Sequence, residues 1–230
     1  MALAPHADKS AIRDAATIIV LRRGPDPSVL MGQRGASAAF MPSKFVFPGG
    51  AVDPVDHDVP LGGLPADQAA SLLADSTLPP AALAAAAIRE LWEETGQIIG
   101  TRGNWHDAPQ GWRGYAATGH LPDATRWRYF FRAITPDGRP RRFDARFFLA
   151  DADDLTTDPD DFTRAEDELS LLQWVPLQQA RTFDLPFITE VVLAELVAHL
   201  ADPAAPLTVP FFRNDDEAHL VTRLAGARLL

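Results

Sequence analysis

The most strongly apolar stretch, Ala15-Ala16-Thr17-Ile18-Ile19-Val20-Leu21, has β-branched residues at its centre and ends at Arg22-Arg23-Gly24-Pro25. It predicts a buried strand followed by a turn, with Ser28 to Gln33 as its hairpin partner. Lys44-Phe45-Val46-Phe47 is a short strand candidate set between Pro42 and Pro48-Gly49-Gly50, so it must end abruptly in a loop able to approach a ligand closely. Trp127 to Ile134 and Arg142 to Ala150 predict two strands around the turn Pro136-Asp137-Gly138, and Leu171 to Val175 predicts a further one. Helical patterning is clearest in two places. Pro79-Pro80 suits a helix start, the run Ala81 to Gly96 is rich in Ala, Leu and Glu, and Gly96 stands where a left-handed cap stops it. Ile188 to Leu200 carries apolar residues at the spacing of an amphipathic helix. From His57 to about Pro80 there is no strand pattern, and only Ala66 to Ala74 suits a short helix, so this segment reads as an insertion. The last segment, Asp202 to Leu230, holds Pro203, Pro206 and Pro210 and has no decisive pattern. Its role as a C-terminal extension stays open.

Composition narrows the function classes. The chain has 230 residues, 47% hydrophobic and 23% charged, which suits a globular fold and favours one decorated domain over two minimal ones. Lys plus Arg is 21 against 31 for Asp plus Glu, and the net charge of −10 argues against a nucleic-acid partner. With no cysteine, disulfides, thiolate metal sites and a cysteine nucleophile are excluded, and any metal must sit on oxygen or imidazole. The chain start, with His6, Asp8, Lys9, Arg13 and Asp14, does not resemble a signal-peptide core, and no apolar run is long enough to span a bilayer. The expectation is a soluble, cytoplasmic protein with no membrane partner.

The chemistry concentrates in Arg89-Glu90-Leu91-Trp92-Glu93-Glu94-Thr95-Gly96. At about 100° per residue, Glu90, Glu93 and Glu94 fall within one sector of a helix. Only Arg89 stands beside them, at i to i+4 from Glu93, so a divalent cation would resolve their repulsion. Magnesium prefers oxygen ligands and keeps substrate phosphate in its shell, which makes such a face suitable for phosphate chemistry. Read alone, an acidic helix face is more commonly just solvated surface.

Phe47-Pro48-Gly49-Gly50 changes that balance, because together with the helix it resembles the signature of the Nudix hydrolases. Gly50 matches the opening glycine and Asp56 stands, as the shorter acid, at the first acidic position. Arg89, Glu90, Leu91, Glu93, Glu94 and Gly96 match the second half in order and spacing, while Gln97 departs from the closing aliphatic. Between the halves, 32 residues separate Asp56 from Arg89 where the family has seven. Loop-closure entropy grows only logarithmically with length, so the halves can still meet. The interrupted signature resembles a subset that includes peroxisomal members cleaving coenzyme A and its acyl esters. Ala39 to Asp53 and Arg142 to Phe148 resemble that subset too, and the likeness runs from about Ala15 to Leu200.

The resemblance implies an α/β/α sandwich of the Nudix type, with a mixed sheet and a catalytic loop-helix-loop. It implies magnesium or manganese held by Glu90, Glu93, Glu94 and a backbone carbonyl of the Gly50 region, with Arg89 orienting a carboxylate. The activity implied is hydrolysis of a diphosphate linkage in a small nucleoside diphosphate derivative by a metal-activated water. The base is either a carboxylate of the helix or a later loop acid, for which Glu168 is the candidate. An alternative for Glu168 is a solvated position within Glu166-Asp167-Glu168.

Coenzyme A or an acyl-CoA is the favoured substrate, with ADP-ribose or NADH as the alternative and a noncatalytic nucleotide sensor as another. Arg34 fits the first arginine of a coenzyme A signature from another branch, but Ala39 and Ser43 replace its second arginine and its glycine. Lys44 is a further candidate for substrate phosphate. Arg141, Arg142 and Arg146 surround Asp144, where anion recognition competes with the more common cross-strand salt bridges; Arg142 and Arg146 are taken as substrate-binding candidates. Trp92, Phe40 and Met41 are expected in the core. The six histidines, His6, His57, His106, His120, His199 and His219, never stand three or four apart and are assigned no metal. Homodimerisation is compatible with each of these readings.

Overall fold

The computed structural model describes residues 11–205, 208–213 and 222–223. Strand β1 (Ile12–Arg22) is the axis of a nine-stranded mixed sheet with β2 (Ser28–Arg34), β3 (Phe45–Val46), β4 (Gly49–Ala51), β7 (Arg128–Ile134), β8 (Arg142–Asp151), β9 (Leu169–Pro176), β10 (Pro210–Phe212) and β11 (Thr222–Arg223). Helices α1 (Ala66–Leu73), α2 (Pro80–Thr95), α3 (Arg113–Ala116) and α4 (Phe187–Ala201) flank it. Strands β5 (Gly100–Arg102) and β6 (His120–Pro122) form a separate ribbon that the sequence pattern did not announce. No helix among the described residues is long and apolar enough to cross a membrane.

The β-branched run buries β1 from Ile18 to Leu21, and the strand pairs in parallel with β8 along ten residues. Because side chains alternate along a strand, Ala16, Ile18 and Val20 pack on one face with the alanine-rich side of α2, while Ile19 and Leu21 pack on the other with Val192, Leu193 and Leu196 of α4. These two cores are the two halves of an α/β/α sandwich. On α4 the buried stripe is narrower than the apolar composition suggests: Phe187 and Val197 are exposed.

The expected hairpin of β1 and β2 exists only at its turn end, where Leu21 faces Val29 and Arg22 faces Ser28. Lower down, β4 takes over the same edge of β1, with Gly50 opposite Ala16 and Gly49 opposite Thr17. Strand β2 is freed to pair with β3 and β9, so the sheet forks beside the glycines. The insertion stays outside the sheet, contributing α1 and a single bridge from Gly62 to Asp123. It is docked by the Gln68 side chain, whose carbonyl oxygen accepts from the Tyr129 N–H at 2.6 Å. The C-terminal extension supplies β10, parallel to β7, and β11 beside it. His6 and His219 lie outside the described residues.

Candidate active site

Three pieces of chain meet at the fork of the sheet. Helix α2 is closed by Gly96, whose φ of 72° suits the left-handed cap, and its N–H bonds back to the Trp92 carbonyl. The Gly49-Gly50 strand crosses so close to α2 that a Cβ at Gly50 would collide with the Glu90 carboxylate. The 3₁₀ turn after β4 carries Asp56, with its carboxylate buried, into the base of the same helix.

Arg89 is the hub. Its Nε and Nη2 bind the two oxygens of Asp56, each at 3.0 Å, and Nη2 also donates to the Ala51 carbonyl. Nη1 bridges Glu90 at 2.8 Å and Glu93 at 2.9 Å. Asp56 is held in turn by the Trp112 indole N–H and by the Asp53 backbone N–H. Thus the two halves of the interrupted motif are joined through a forked guanidinium–carboxylate contact, the geometry for which Arg is suited. Burial alone would disfavour the Arg89 charge, but Asp56, Glu90 and Glu93 outweigh it and hold the guanidinium firmly protonated.

Negative charge is in surplus here. Burial, helped by the neighbouring Glu93 and opposed by Arg89, raises Glu90 to about 7. Glu94 is raised well above the usual carboxylate range, chiefly by burial and then by Glu90. Glu93 is raised by burial against the pull of Arg89. Glu94 Oε2 accepts the Gly49 N–H at 2.7 Å, whereas its Oε1 is buried with no hydrogen-bond partner among the described residues. An orphaned buried carboxylate oxygen is costly unless a cation or donor meets it.

Among the described residues, no three carboxylates or imidazoles already converge as a closed ligand set. The chemistry of the donors nevertheless fits a hard divalent cation: three glutamates lie on one helix face, one with an unpartnered buried oxygen. Gly50, from whose region the resemblance implies a carbonyl ligand, lies directly against the Glu90 carboxylate.

A cleft of about 810 Å³ opens from this cluster across the lower sheet. Glu90, Gly49 and Gly50 stand at its edge, with Glu168 from the segment before β9. Arg34 donates to Glu168 Oε1 at 2.9 Å, so these two sequence candidates face one another. Lys44 also lines the cleft and is ion-paired with Asp184. Phe40 and Met41, expected in the core, instead form part of the cleft wall, with the Phe40 ring edge-on to Phe143 at 5.1 Å. Trp92 is partly buried against the core as expected.

Arg142 and Arg146 are not brought to the cleft. Arg142 fastens the β7–β8 turn through the Thr135 carbonyl and Asp137. Arg146 is buried on the opposite face, bound to Asp14, Asp144 and Ser76. The reason is strand alternation: Phe143, Ala145 and Phe147 face the cleft, so residues 142, 144 and 146 point away. The same alternation was available in the sequence. Arg132, which pairs with Asp144 and was not singled out, had no comparable local signal.

The family model described as NUDIX domain matches residues 12–196. A Caenorhabditis elegans protein named as a nudix hydrolase is 30% identical over 161 residues, which cover 63% of this chain. The matched stretch spans only 46% of that relative's length. The crystal structure of a NUDIX hydrolase from Alicyclobacillus acidocaldarius has a TM-score of 0.66 and 28% identity, over 86% of this chain and 98% of the other.

Proposed function

We infer the function from the premise that this chain belongs to the Nudix family. It acts, on this reading, as a Nudix-type hydrolase of a diphosphate linkage in a nucleoside diphosphate derivative. The observation that carries the reading is the buried Glu94 Oε1, unpartnered among the described residues, on the same helix face as Glu90, which lines the cleft.

Glu90, Glu93 and Glu94 would hold magnesium or manganese, which when bound supplies positive charge against the anionic diphosphate and the charge that builds on the leaving oxygen. The chain's own groups do the positioning. Gly49 N–H fixes one oxygen of Glu94 and leaves the other without a partner among the described residues, free to meet a cation. Arg89 sets the rotamers of Glu90 and Glu93 and is itself locked by Asp56. Glu168 is the preferred proton acceptor: Arg34 occupies its Oε1, so Oε2 takes the proton from the attacking water. The apolar wall of Phe40, Met41 and Phe143 shields the bound substrate from bulk water.

Coenzyme A or an acyl-CoA is the favoured substrate, supported by the interrupted motif and by a cleft of about 810 Å³ lined by both cationic and apolar side chains. Specificity constants for coenzyme A, dephospho-coenzyme A, ADP-ribose and NADH under one magnesium condition test it. Coenzyme A should give the largest value; dominance of ADP-ribose or NADH withdraws the substrate reading and leaves the diphosphatase reading standing. Absence of hydrolysis of any diphosphate would favour a nucleotide sensor instead.

A further inference from the structure

Five cationic side chains line the cleft, and they divide into two sets. Arg34, at the end of β2, and Lys44, just before β3, are neutralised by Glu168 and Asp184. Arg13, Arg139 and Arg141, at the other end, have no carboxylate partner among the described residues. The contrast is sharper because the neighbouring Arg142 takes Asp137, the one acid of that turn, and Arg146 takes Asp14. In a chain of net charge −10, three unneutralised guanidiniums at one end of a cleft repel each other and attract an anion.

Their placement relative to the carboxylate cluster follows from register. Gly50, against Glu90, pairs with Ala16 of β1, and Arg13 lies three residues away on the same strand, opposite Phe143 of β8. At about 3.3 Å per residue this is a separation of roughly 10 Å along the floor of the cleft. Arg141 enters the same end just before β8, and Arg139 reaches it from the β7–β8 turn. The floor between the two charged ends is Ala15, Thr17 and Ala145, small enough for a flat group to lie on.

We propose that Arg13, Arg139 and Arg141 form a subsite for a phosphate monoester that the substrate carries on its nucleoside, one nucleoside length from the diphosphate. This rests on the reading of the cleft as a nucleoside diphosphate site and narrows its substrate class to nucleosides bearing an additional phosphate. The guanidinium forks match the oxygens of a phosphate dianion, and charge-assisted hydrogen bonds of that kind are the strong ones.

Binding without turnover tests the subsite independently of the reaction. By titration calorimetry in magnesium, the intact protein should bind adenosine 3′,5′-bisphosphate or adenosine 2′,5′-bisphosphate at least about tenfold more tightly than adenosine 5′-monophosphate. The Arg139→Gln, Arg141→Gln double variant, and separately Arg13→Gln, should reduce that ratio towards one. Arg102→Gln, on the β5–β6 ribbon, should preserve it. All three arginines are exposed, so melting temperatures near that of the parent protein would show the variants folded. Equal binding of monophosphate and bisphosphates by the parent protein, or an unchanged ratio in the folded arginine variants, overturns the proposal. If the ratio behaves as expected while coenzyme A is not hydrolysed, the subsite stands and only the coenzyme A reading falls.

Discussion

Two buried arginine–carboxylate clusters sit on the same face of the sheet. Around Arg89, three carboxylates, Asp56, Glu90 and Glu93, share one guanidinium, and next to them the buried Glu94 keeps one oxygen without a partner among the described residues. Around Asp144, two guanidiniums meet two carboxylates: Arg132 and Arg146 are answered by Asp144 and Asp14, and by the carbonyls of Ala74 and Asp75 and the Ser76 hydroxyl. The second cluster is close to charge balance and fastens the insertion to β7 and β8. The first is built with excess negative charge that the protein does not neutralise. Surplus charge, rather than burial or the number of ion pairs, separates a site from a strut.

The largest expected effect lies on the surplus side. Glu94→Gln should lower kcat by two to three orders of magnitude, on the order of 3–4 kcal/mol of transition-state stabilisation, measured with whichever diphosphate the substrate screen selects. The same variant should melt at or above the parent temperature without metal, because it removes a buried carboxylate held partly uncompensated. A folded variant with near-normal turnover breaks the comparison.

Asp144→Asn should behave in the opposite sense. It leaves Arg132 and Arg146 short of a buried counter-charge and should cost about 3–5 kcal/mol in denaturant unfolding. Turnover per folded molecule should fall far less than in Glu94→Gln. Equal catalytic loss in the two variants would make the Asp144 cluster part of the site.

A third expectation concerns pH. Glu90 is raised to about 7 from its ordinary value of 4.5, so the metal-free folded state binds more protons than the unfolded state between those values. Its contribution to stability is therefore retained at about pH 4.5 and lost as pH rises through 7, on the order of 3 kcal/mol at most. A bound cation favours the ionised carboxylates, so magnesium should raise the melting temperature more at about pH 8 than at about pH 5.5. A magnesium shift that is equal at both values would remove these carboxylates from the metal site.

The smallest effect should come from Arg142→Gln. Its ion pair with Asp137 lies at an exposed turn, where such contacts contribute about 0–1 kcal/mol, and the residue faces away from the cleft. Equilibrium unfolding and the substrate preference should both change little; a shift in preference would return Arg142 to the binding residues.

Much of this was legible along the chain because it depends on local periodicity. The β-branched run of β1, the alanine-rich α2 with its Gly96 cap, and the grouping of Glu90, Glu93 and Glu94 on one face all follow from the period of a strand or helix. The interrupted motif was also legible, since Gly50 and Arg89 keep their identities across the insertion and Asp56 keeps an acid at its position. Tertiary structure alone decided how those pieces meet. It placed Gly50 against Glu90, closed Asp56 onto Arg89, paired Arg34 with Glu168 across 134 residues, and moved Phe40 and Met41 from the expected core to the cleft wall. It also left Arg13, Arg139 and Arg141 without carboxylates among the described residues while neutralising Arg142 and Arg146. Whether a charge is matched depends on distant chain segments arriving at one point through the fork of the sheet. Local pattern carries the face on which a side chain stands, but not the partner that folding brings to it.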